Sequence, residues 1–356
     1  MKTIVWKAKS QIALENKAVP DVGPGEMLVN IMASTICGSD IKIWHAGNPR
    51  VSPGTTLGHE AAGVVVAVGS GVDKFRVGDR IAIGADVPCD ECDFCLSGFS
   101  TSCTTNLAIG HQFEGTFAEY ILLNERTTRT GPVVKLKDTT PFELAALAEP
   151  LGCCINGFER ALGGETVRPQ ALLAVIGAGP IGLMLASLGK HYGFERTIIF
   201  DISRERLDRA KNMGIGDILV NTDGQELSEL MSSVSGGADL VFSANASASS
   251  QNLAIQLCRP RGVVNFFGGL PQGNDLAAMP TNLVHYRELK VVGSHGSTPE
   301  QHRTAVKLIE DGEVDISQFI TKRFALEDFA IAFETAQAGN GLKILFDSKL
   351  KGQLHV

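Results

Sequence analysis

Leu172-Leu173-Ala174-Val175-Ile176-Gly177-Ala178-Gly179-Pro180-Ile181-Gly182 decides how this chain is read. Its first five residues are an apolar run, the mark of a strand buried on both faces of a parallel sheet. A glycine turn follows in the pattern G-x-G-x-x-G, and residues 181–192 then read as a helix. The alternation continues downstream. Strands are expected at 197–200 (ending on Asp201), 217–220, 239–243, 262–267 and 289–293, with helices at 204–213, 225–233 and 249–258 between the first four of them. Strands and helices alternating in this way predict a doubly wound parallel α/β sheet.

The turn carries chemistry as well as shape. Gly177 makes the tight turn, Gly179 lets the backbone approach a pyrophosphate, and Gly182 lets the helix pack closely on the strand. The start of the helix then offers unpaired N–H groups to the phosphates. Asp201, 24 positions after Gly177, stands where a carboxylate accepts hydrogen bonds from ribose hydroxyls and repels a 2′-phosphate, which favours NAD over NADP. Arg204 and Arg206 pull the other way. Pro180, Ile181 and Arg206 complete the candidate cofactor contacts. The bland alternative is a glycine-rich turn with no ligand, and the flanking strand, helix and acid weigh against it.

Working outward, the first 150 residues read as short strands and turns. A Val-rich strand is expected at 64–68 and another at Arg80–Ile83, with Gly and Pro between elements and little helical periodicity before 142–148. In the tail, 299–311 and 326–338 read as helices and 343–346 as a last strand. The expected organisation is a β-rich domain built from 1–153 and 295–356, with a nucleotide-binding domain at 154–294.

Composition narrows the possibilities further. The 356 residues are 44% hydrophobic and 20% charged, which excludes a disordered chain and supplies core for two domains. The net charge of −7 argues against nucleic acid or an anionic membrane as a partner. The longest apolar runs, 61–68 and 171–176, fall far short of the roughly 18 residues of a membrane span. Lys7 and Lys9 interrupt the start before a secretory apolar region forms. A reducing, cytoplasmic setting is expected, where clustered cysteines are metal ligands sooner than disulfides.

Cys89, Cys92, Cys95 and Cys103 form C-x2-C-x2-C-x7-C. Four thiolates on one short loop suit a tetrahedral zinc closed to solvent, hence a structural one. An iron–sulfur cluster and a group of unligated thiols are the other readings. A second set of candidates is dispersed: Cys37-Gly38-Ser39-Asp40, Gly58-His59-Glu60, and Ala148-Glu149-Pro150. No spacing rule joins them. Alone, Cys37 reads as a core thiol, His59 as a loop histidine and Glu149 as a helix-end carboxylate.

Together and in this order, these segments, the four-cysteine lobe and the Gly177–Gly182 loop resemble the zinc-dependent medium-chain dehydrogenases, in particular their polyol (sorbitol) dehydrogenase branch. The resemblance covers essentially the whole chain. It implies a β-rich GroES-like catalytic domain carrying both metals and a Rossmann NAD-binding domain. It implies a catalytic zinc at Cys37 and His59, with Glu60 and Glu149 as carboxylate ligands or one of them acting through water, and Ser39 as a proton-relay hydroxyl. Two zincs per chain and one nicotinamide nucleotide follow.

The implied activity is reversible oxidation of a secondary alcohol of a polyol, sugar alcohol or sugar-alcohol phosphate. Simple alcohol dehydrogenases have a cysteine where Glu149 stands and a relay histidine where Lys42 stands, with His45 as a possible substitute for the latter. Sorbitol dehydrogenases carry an Arg-Tyr pair where this chain reads Ser294-His295-Gly296-Ser297; phosphopolyol enzymes such as galactitol-1-phosphate dehydrogenase lack it too. A phosphate wants a basic anchor, for which Lys42 and Arg50 are the candidates. Phe94, Phe99, His111 and Phe113 are candidate linings of the substrate site. Residues 270–284 are a candidate subunit contact, and a homodimer or homotetramer is implied. A threonine dehydrogenase ranks behind the polyol reading. A non-catalytic NAD-binding protein, and a zinc module engaging nucleic acid or protein, are the readings from other classes.

Overall fold

The computed structural model describes residues 1–271, 273–339 and 341–352. The chain divides into two compact units, Met1–Gly152 with Gly296–Val356, and Cys153–His295.

The second unit is built on six parallel strands. In chain order they are Leu172–Ile176, Arg196–Asp201, Ile218–Asn221, Ala238–Ser243, Cys258–Phe266 and Lys290–Gly293. In space they run third, second, first, fourth, fifth, sixth. The order reverses beside Leu172–Ile176, so the loops leaving this strand and Ala238–Ser243 diverge and open a crevice at their carboxyl ends. Leu172, Ala174, Ile176, Ile198, Phe200 and Val241 are buried in one apolar cluster, as a sheet covered on both faces requires. The helix after the glycine turn spans Pro180–Leu188, shorter than the sequence predicts. The fifth strand begins at Cys258, four residues before the expected start, and its pairing shifts register between Ala238 and Leu240. Of the candidate subunit contact at 270–284, Gln272 lies outside the described residues; its end opens the helix Thr281–Tyr286.

The first unit centres on a mostly antiparallel seven-stranded sheet. The strands Ile320–Phe324, Lys343–Asp347, Met27–Thr35, Glu60–Val68, Arg80–Ile83 and Val133–Lys135 lie side by side in that order, with Tyr120–Leu123 paired to Met27–Thr35. Ile4, Ile36, Ile43, Leu57, Phe117 and Phe333 pack into one core; Val29, Ile31, Val65, Ile81 and Ile83 pack into another.

Two helices depart from the sequence reading. Gly38–Ala46 is helical although it shows no clean apolar period. Its start is fixed locally: the Cys37 N–H donates to Asp40 Oδ2 at 2.9 Å, the reciprocal bond of a capping box. The helix Ala148–Leu162 runs far past the expected stop at 148, despite Pro150, Gly152 and Gly157. Pro150 sits in the first turn, where its missing N–H costs nothing. The boundary between the two units falls inside this helix.

Candidate metal centre and nucleotide loop

Cys37 precedes the helix Gly38–Ala46, so Ser39 and Asp40 occupy its first turn. His59 and Glu60 come from the start of the strand Glu60–Val68, which pairs Glu60 with Thr35. The approach is tight: Gly58 has φ +91°, and a Cβ there would lie 2.5 Å from the Phe117 ring. Only glycine satisfies both conditions. Cys37, His59 and Glu60 each offer a ligand atom, and these atoms all lie within 4.8 Å of one another. A thiolate, an imidazole and a carboxylate at that separation suit a divalent zinc with positions left for exchange.

The histidine is oriented from behind. Asp40 Oδ1 lies 3.5 Å from His59 Nδ1, and Asp40 is fully buried. A carboxylate on one ring nitrogen leaves the other, Nε2, for a metal. Burial alone would depress the His59 pKa, but the Asp40 charge and hydrogen bond override it and raise the pKa well above the usual value. Ser39 Oγ stands 3.4 Å from His59 Nε2, on the metal-facing side.

Glu60 has a partner that the sequence reading did not name. Lys343 Nζ donates to both carboxylate oxygens, at 2.7 Å to Oε2, and Thr35 Oγ1 donates to Oε2. Lys343 is 4% exposed in its side chain and Glu60 0%. Burial works against the ammonium, yet the Glu60 charge beside it raises the Lys343 pKa strongly. No local pattern announces Lys343; it sits in a late apolar strand.

Glu149, second in the helix Ala148–Leu162, is buried but supplies no oxygen to the 4.8 Å cluster. Its carboxyl is pushed up to about 7, by burial first, with the Glu60 charge adding to it against the pull of His59 and Lys343. It therefore feels the same centre without belonging to its closest group.

The remaining expected positions separate. His111 brings its ring centroid within 6.0 Å of that of His59. Phe94 and Phe99 are 47% and 50% exposed on the four-cysteine loop, and Phe113 packs on the Val29–Val65 core. Lys42 is exposed, whereas Arg50 is half-buried. The His45 ring stacks on Trp44 at 4.2 Å.

Cys89, Cys92, Cys95 and Cys103 converge on one point. Sulfur–sulfur distances are 3.5 Å (103 to 89), 3.6 Å (92 to 95) and 3.8 Å (89 to 95). A tetrahedron with metal–sulfur bonds of about 2.3 Å has edges of about 3.8 Å, so the four thiols fit zinc without rearrangement. Backbone N–H groups of Cys95 and Thr104 hold the Cys92 thiol down at about 6, while burial pushes Cys95 up to about 12. Four thiols this close resist ionising together, and a divalent cation removes that conflict.

In the other unit the glycine loop has the geometry of a nucleotide cradle. Gly177 takes φ +114°, and its N–H donates to the Phe200 carbonyl at 2.7 Å. A Cβ on Gly182 would lie 1.7 Å from the Gly177 carbonyl oxygen, so helix and turn touch backbone to backbone. A Cβ on Gly179 would meet nothing within 4 Å: the space above it is open to a ligand. Gly179 caps the helix Pro180–Leu188, with Pro180 at its first position. Asp201 Oδ2 accepts from the Ala178 N–H at 2.6 Å and Oδ1 from the Ser203 N–H at 2.8 Å, which fixes the carboxylate beside the loop. Arg204 and Arg206 follow it and are exposed.

Comparison with known proteins agrees with this geometry. The alcohol dehydrogenase GroES-like domain family matches residues 23–137, and the zinc-binding dehydrogenase family matches residues 180–311. The L-threonine 3-dehydrogenase of Sinorhizobium medicae is 32% identical over 98% of each chain. The crystal structure of galactitol-1-phosphate dehydrogenase from Escherichia coli superposes with a TM-score of 0.88 at 28% identity, over 98% of this chain and 100% of that one. A putative zinc-binding dehydrogenase from Sinorhizobium meliloti, bound to NADP, has the same TM-score at 27% identity, over 97% and 98%.

Proposed function

The chain belongs to the zinc-dependent medium-chain alcohol dehydrogenases, and from that premise we propose that it oxidises a secondary alcohol of a polyol or phosphopolyol to the ketone, with NAD as hydride acceptor. The observation that carries the reading is the convergence of Cys37, His59 and Glu60 within 4.8 Å, with the Ser39 hydroxyl against His59. A zinc ion held there polarises the substrate hydroxyl and eases its deprotonation. Cys37 and His59 would hold it, with Glu60 or Glu149 as the carboxylate partner. Asp40 fixes the His59 ring, and Ser39 Oγ takes the proton that leaves the alcohol. The four-cysteine loop carries the second, structural zinc.

Buried Glu149, standing where simple alcohol dehydrogenases have a cysteine, supports a polyol, as does the likeness to galactitol-1-phosphate dehydrogenase. Asp201, fixed beside the glycine loop, supports NAD, because a 2′-phosphate there meets a negative charge. The 32% identity to an L-threonine 3-dehydrogenase supports threonine as the second reading.

The test is nucleotide reduction by zinc-loaded protein on hexitols and pentitols, each free and phosphorylated, with L-threonine and a simple secondary alcohol alongside, and with NAD and NADP in parallel. Turnover of a polyol or its phosphate with NAD is expected. Turnover of threonine alone replaces the polyol reading, and a preference for NADP overturns the role given to Asp201.

A further inference from the structure

Beside the Cys37–His59 centre the proposed function leaves one charged side chain without a task. Arg50 follows the helix Gly38–Ala46 and is half-buried. Its backbone is pinned, the N–H donating to Asn48 Oδ1 at 2.9 Å. Its Nη2 donates to the Asn106 carbonyl at 3.3 Å and to Gln112 Oε1 at 3.2 Å. Gln112 Oε1 is itself held by the Ala108 N–H at 3.1 Å. Every acceptor that Arg50 has is neutral, and among the described residues it pairs with no carboxylate. Neutral acceptors satisfy its hydrogen bonds and leave its charge uncompensated in a half-dry place. Nε and Nη1 of the guanidinium fork make no hydrogen bond among the described residues.

The loop that holds Arg50 also faces the metal centre. His111, next to Gln112, donates from Nδ1 to the Ile109 carbonyl (3.3 Å) and turns its ring to within 6.0 Å of the His59 ring. Arg50 and His111 are joined through Gln112, whose side chain accepts from Arg50 and whose backbone neighbour is His111. The series thus reads, outward from the metal ligand, as His59, His111, Gln112, Arg50.

We infer that Arg50 anchors an anionic end of the substrate, a phosphate monoester, while His111 contacts the hydroxylated carbons between that anchor and His59. The inference rests on the alcohol-oxidation reading above and names the substrate class for the same site. Phosphate fits better than an α-carboxylate. In a β-hydroxy amino acid the carboxyl carbon lies about 2.5 Å from the carbinol carbon, on bonds of roughly 1.5 Å. The two imidazoles alone stand 6.0 Å apart between centroids, so a substrate that reaches past His111 needs more carbons than that. A polyol of five or six carbons with a terminal phosphate has them. A guanidinium fork meets phosphate oxygens two at a time, which makes arginine the suited residue.

The experiment is isothermal titration of zinc-loaded protein with paired hexitols and pentitols, free and phosphorylated, and with L-threonine, in wild type, Arg50→Gln, Arg50→Lys and Lys42→Gln. Near-ultraviolet circular dichroism checks that each variant is folded, and initial rates with NAD are taken in parallel. Wild type is expected to bind a phosphorylated polyol at least tenfold more tightly than its free form. Arg50→Gln reduces that preference by roughly 10- to 100-fold, the range for a charge-assisted contact. Arg50→Lys keeps part of it, and Lys42→Gln, which alters an exposed charge, keeps all of it. In rates, the loss falls on KM rather than kcat.

An unchanged preference in folded Arg50→Gln overturns the anchor, as does a wild type indifferent to phosphate. Loss of affinity for threonine rather than for the phosphorylated polyol overturns the phosphate assignment in favour of a carboxylate. The two readings fail separately. Arg50-dependent binding without any NAD reduction sinks the alcohol-oxidation reading and keeps the anchor; equal turnover of free and phosphorylated polyols in both proteins does the reverse.

Discussion

Replacing Lys343 by Met tests the centre at its least expected contact. The ammonium lies 2.7 Å from Glu60 Oε2, with side chains 4% and 0% exposed. At an effective dielectric of about 20, a pair at that distance attracts by about 6 kcal/mol. Removing both ions from water costs several kcal/mol each, so the net worth of the pair against an apolar replacement is small. Removing one partner is different, because it strands the other. Lys343→Met leaves the Glu60 carboxylate buried with only the Thr35 hydroxyl, and the expected loss is about 3–5 kcal/mol. Glu60→Gln strands the ammonium and costs a similar amount. The double variant recovers most of either loss, so the coupling is several kcal/mol.

The assay is thermal denaturation of zinc-free protein followed by tryptophan fluorescence. Both tryptophans, Trp6 and Trp44, lie in the unit that contains the pair, so the signal reports this unit. For a unit of this size the shift in midpoint temperature is about 2–4 °C per kcal/mol, or about 10 °C for Lys343→Met. A loss under 1 kcal/mol, or losses that simply add in the double variant, would refute the buried pair.

Three further expectations follow from single contacts. Gly182→Ala forces a methyl group into the Gly177 carbonyl, a backbone clash that no rotamer relieves; it should cost more than about 3 kcal/mol and abolish NADH binding by fluorescence, whereas Gly179→Ala should fold normally and bind NADH weakly. Asp239 is buried, which alone would raise its carboxyl, but Arg168, the Leu172 N–H and Arg259 hold it below the usual range. A depressed folded pKa gives stability present above the unfolded value near 4 and lost as pH falls through the folded one. Asp239→Asn should therefore cost about 3 kcal/mol at pH 7 by circular dichroism, with the gap to wild type closing below about pH 4; a gap independent of pH contradicts the assignment. Cys92→Ser should lower the zinc content from two to one per chain by plasma emission; iron with acid-labile sulfide in the wild type would replace the structural-zinc reading.

What the sequence disclosed depends on how much chain each feature needs. The strand Leu172–Ile176 has the bounds that its apolar run predicts, because burial on both faces writes itself into consecutive residues. The six-strand alternation is visible for the same reason. The four cysteines are legible because one loop of 15 residues holds them all. The helix Gly38–Ala46 was hidden, since its start rests on a capping bond between Cys37 and Asp40 rather than on apolar period. Asp40 was quoted in its motif, yet its place behind His59 appears only when strand and helix meet. Helix Ala148–Leu162 lies beyond the expected stretch 142–148, and its amphipathic face is interrupted in sequence by Pro150 and two glycines.

Charge compensation is the part that sequence hides most completely. Lys343 and Glu60 are 283 positions apart, and nothing around either residue marks it as half of a pair. The reverse holds for Arg50, whose neighbours in sequence suggest a solvated surface charge. Only the fold distinguishes the two lysine and arginine fates. Lys343 enters the core because a carboxylate waits for it, and its charge is spent inside the protein. Arg50 is held half-buried by an amide and a carbonyl that take its hydrogen bonds and leave its charge in place. A cation compensated from within stabilises the fold, while one left half-buried and uncompensated is available to an anion from outside. The same accounting applies at the centre itself. Lys343 offsets Glu60, so the Cys37 thiolate and the buried Asp40 carboxylate behind His59 leave two negative charges, which a divalent cation neutralises.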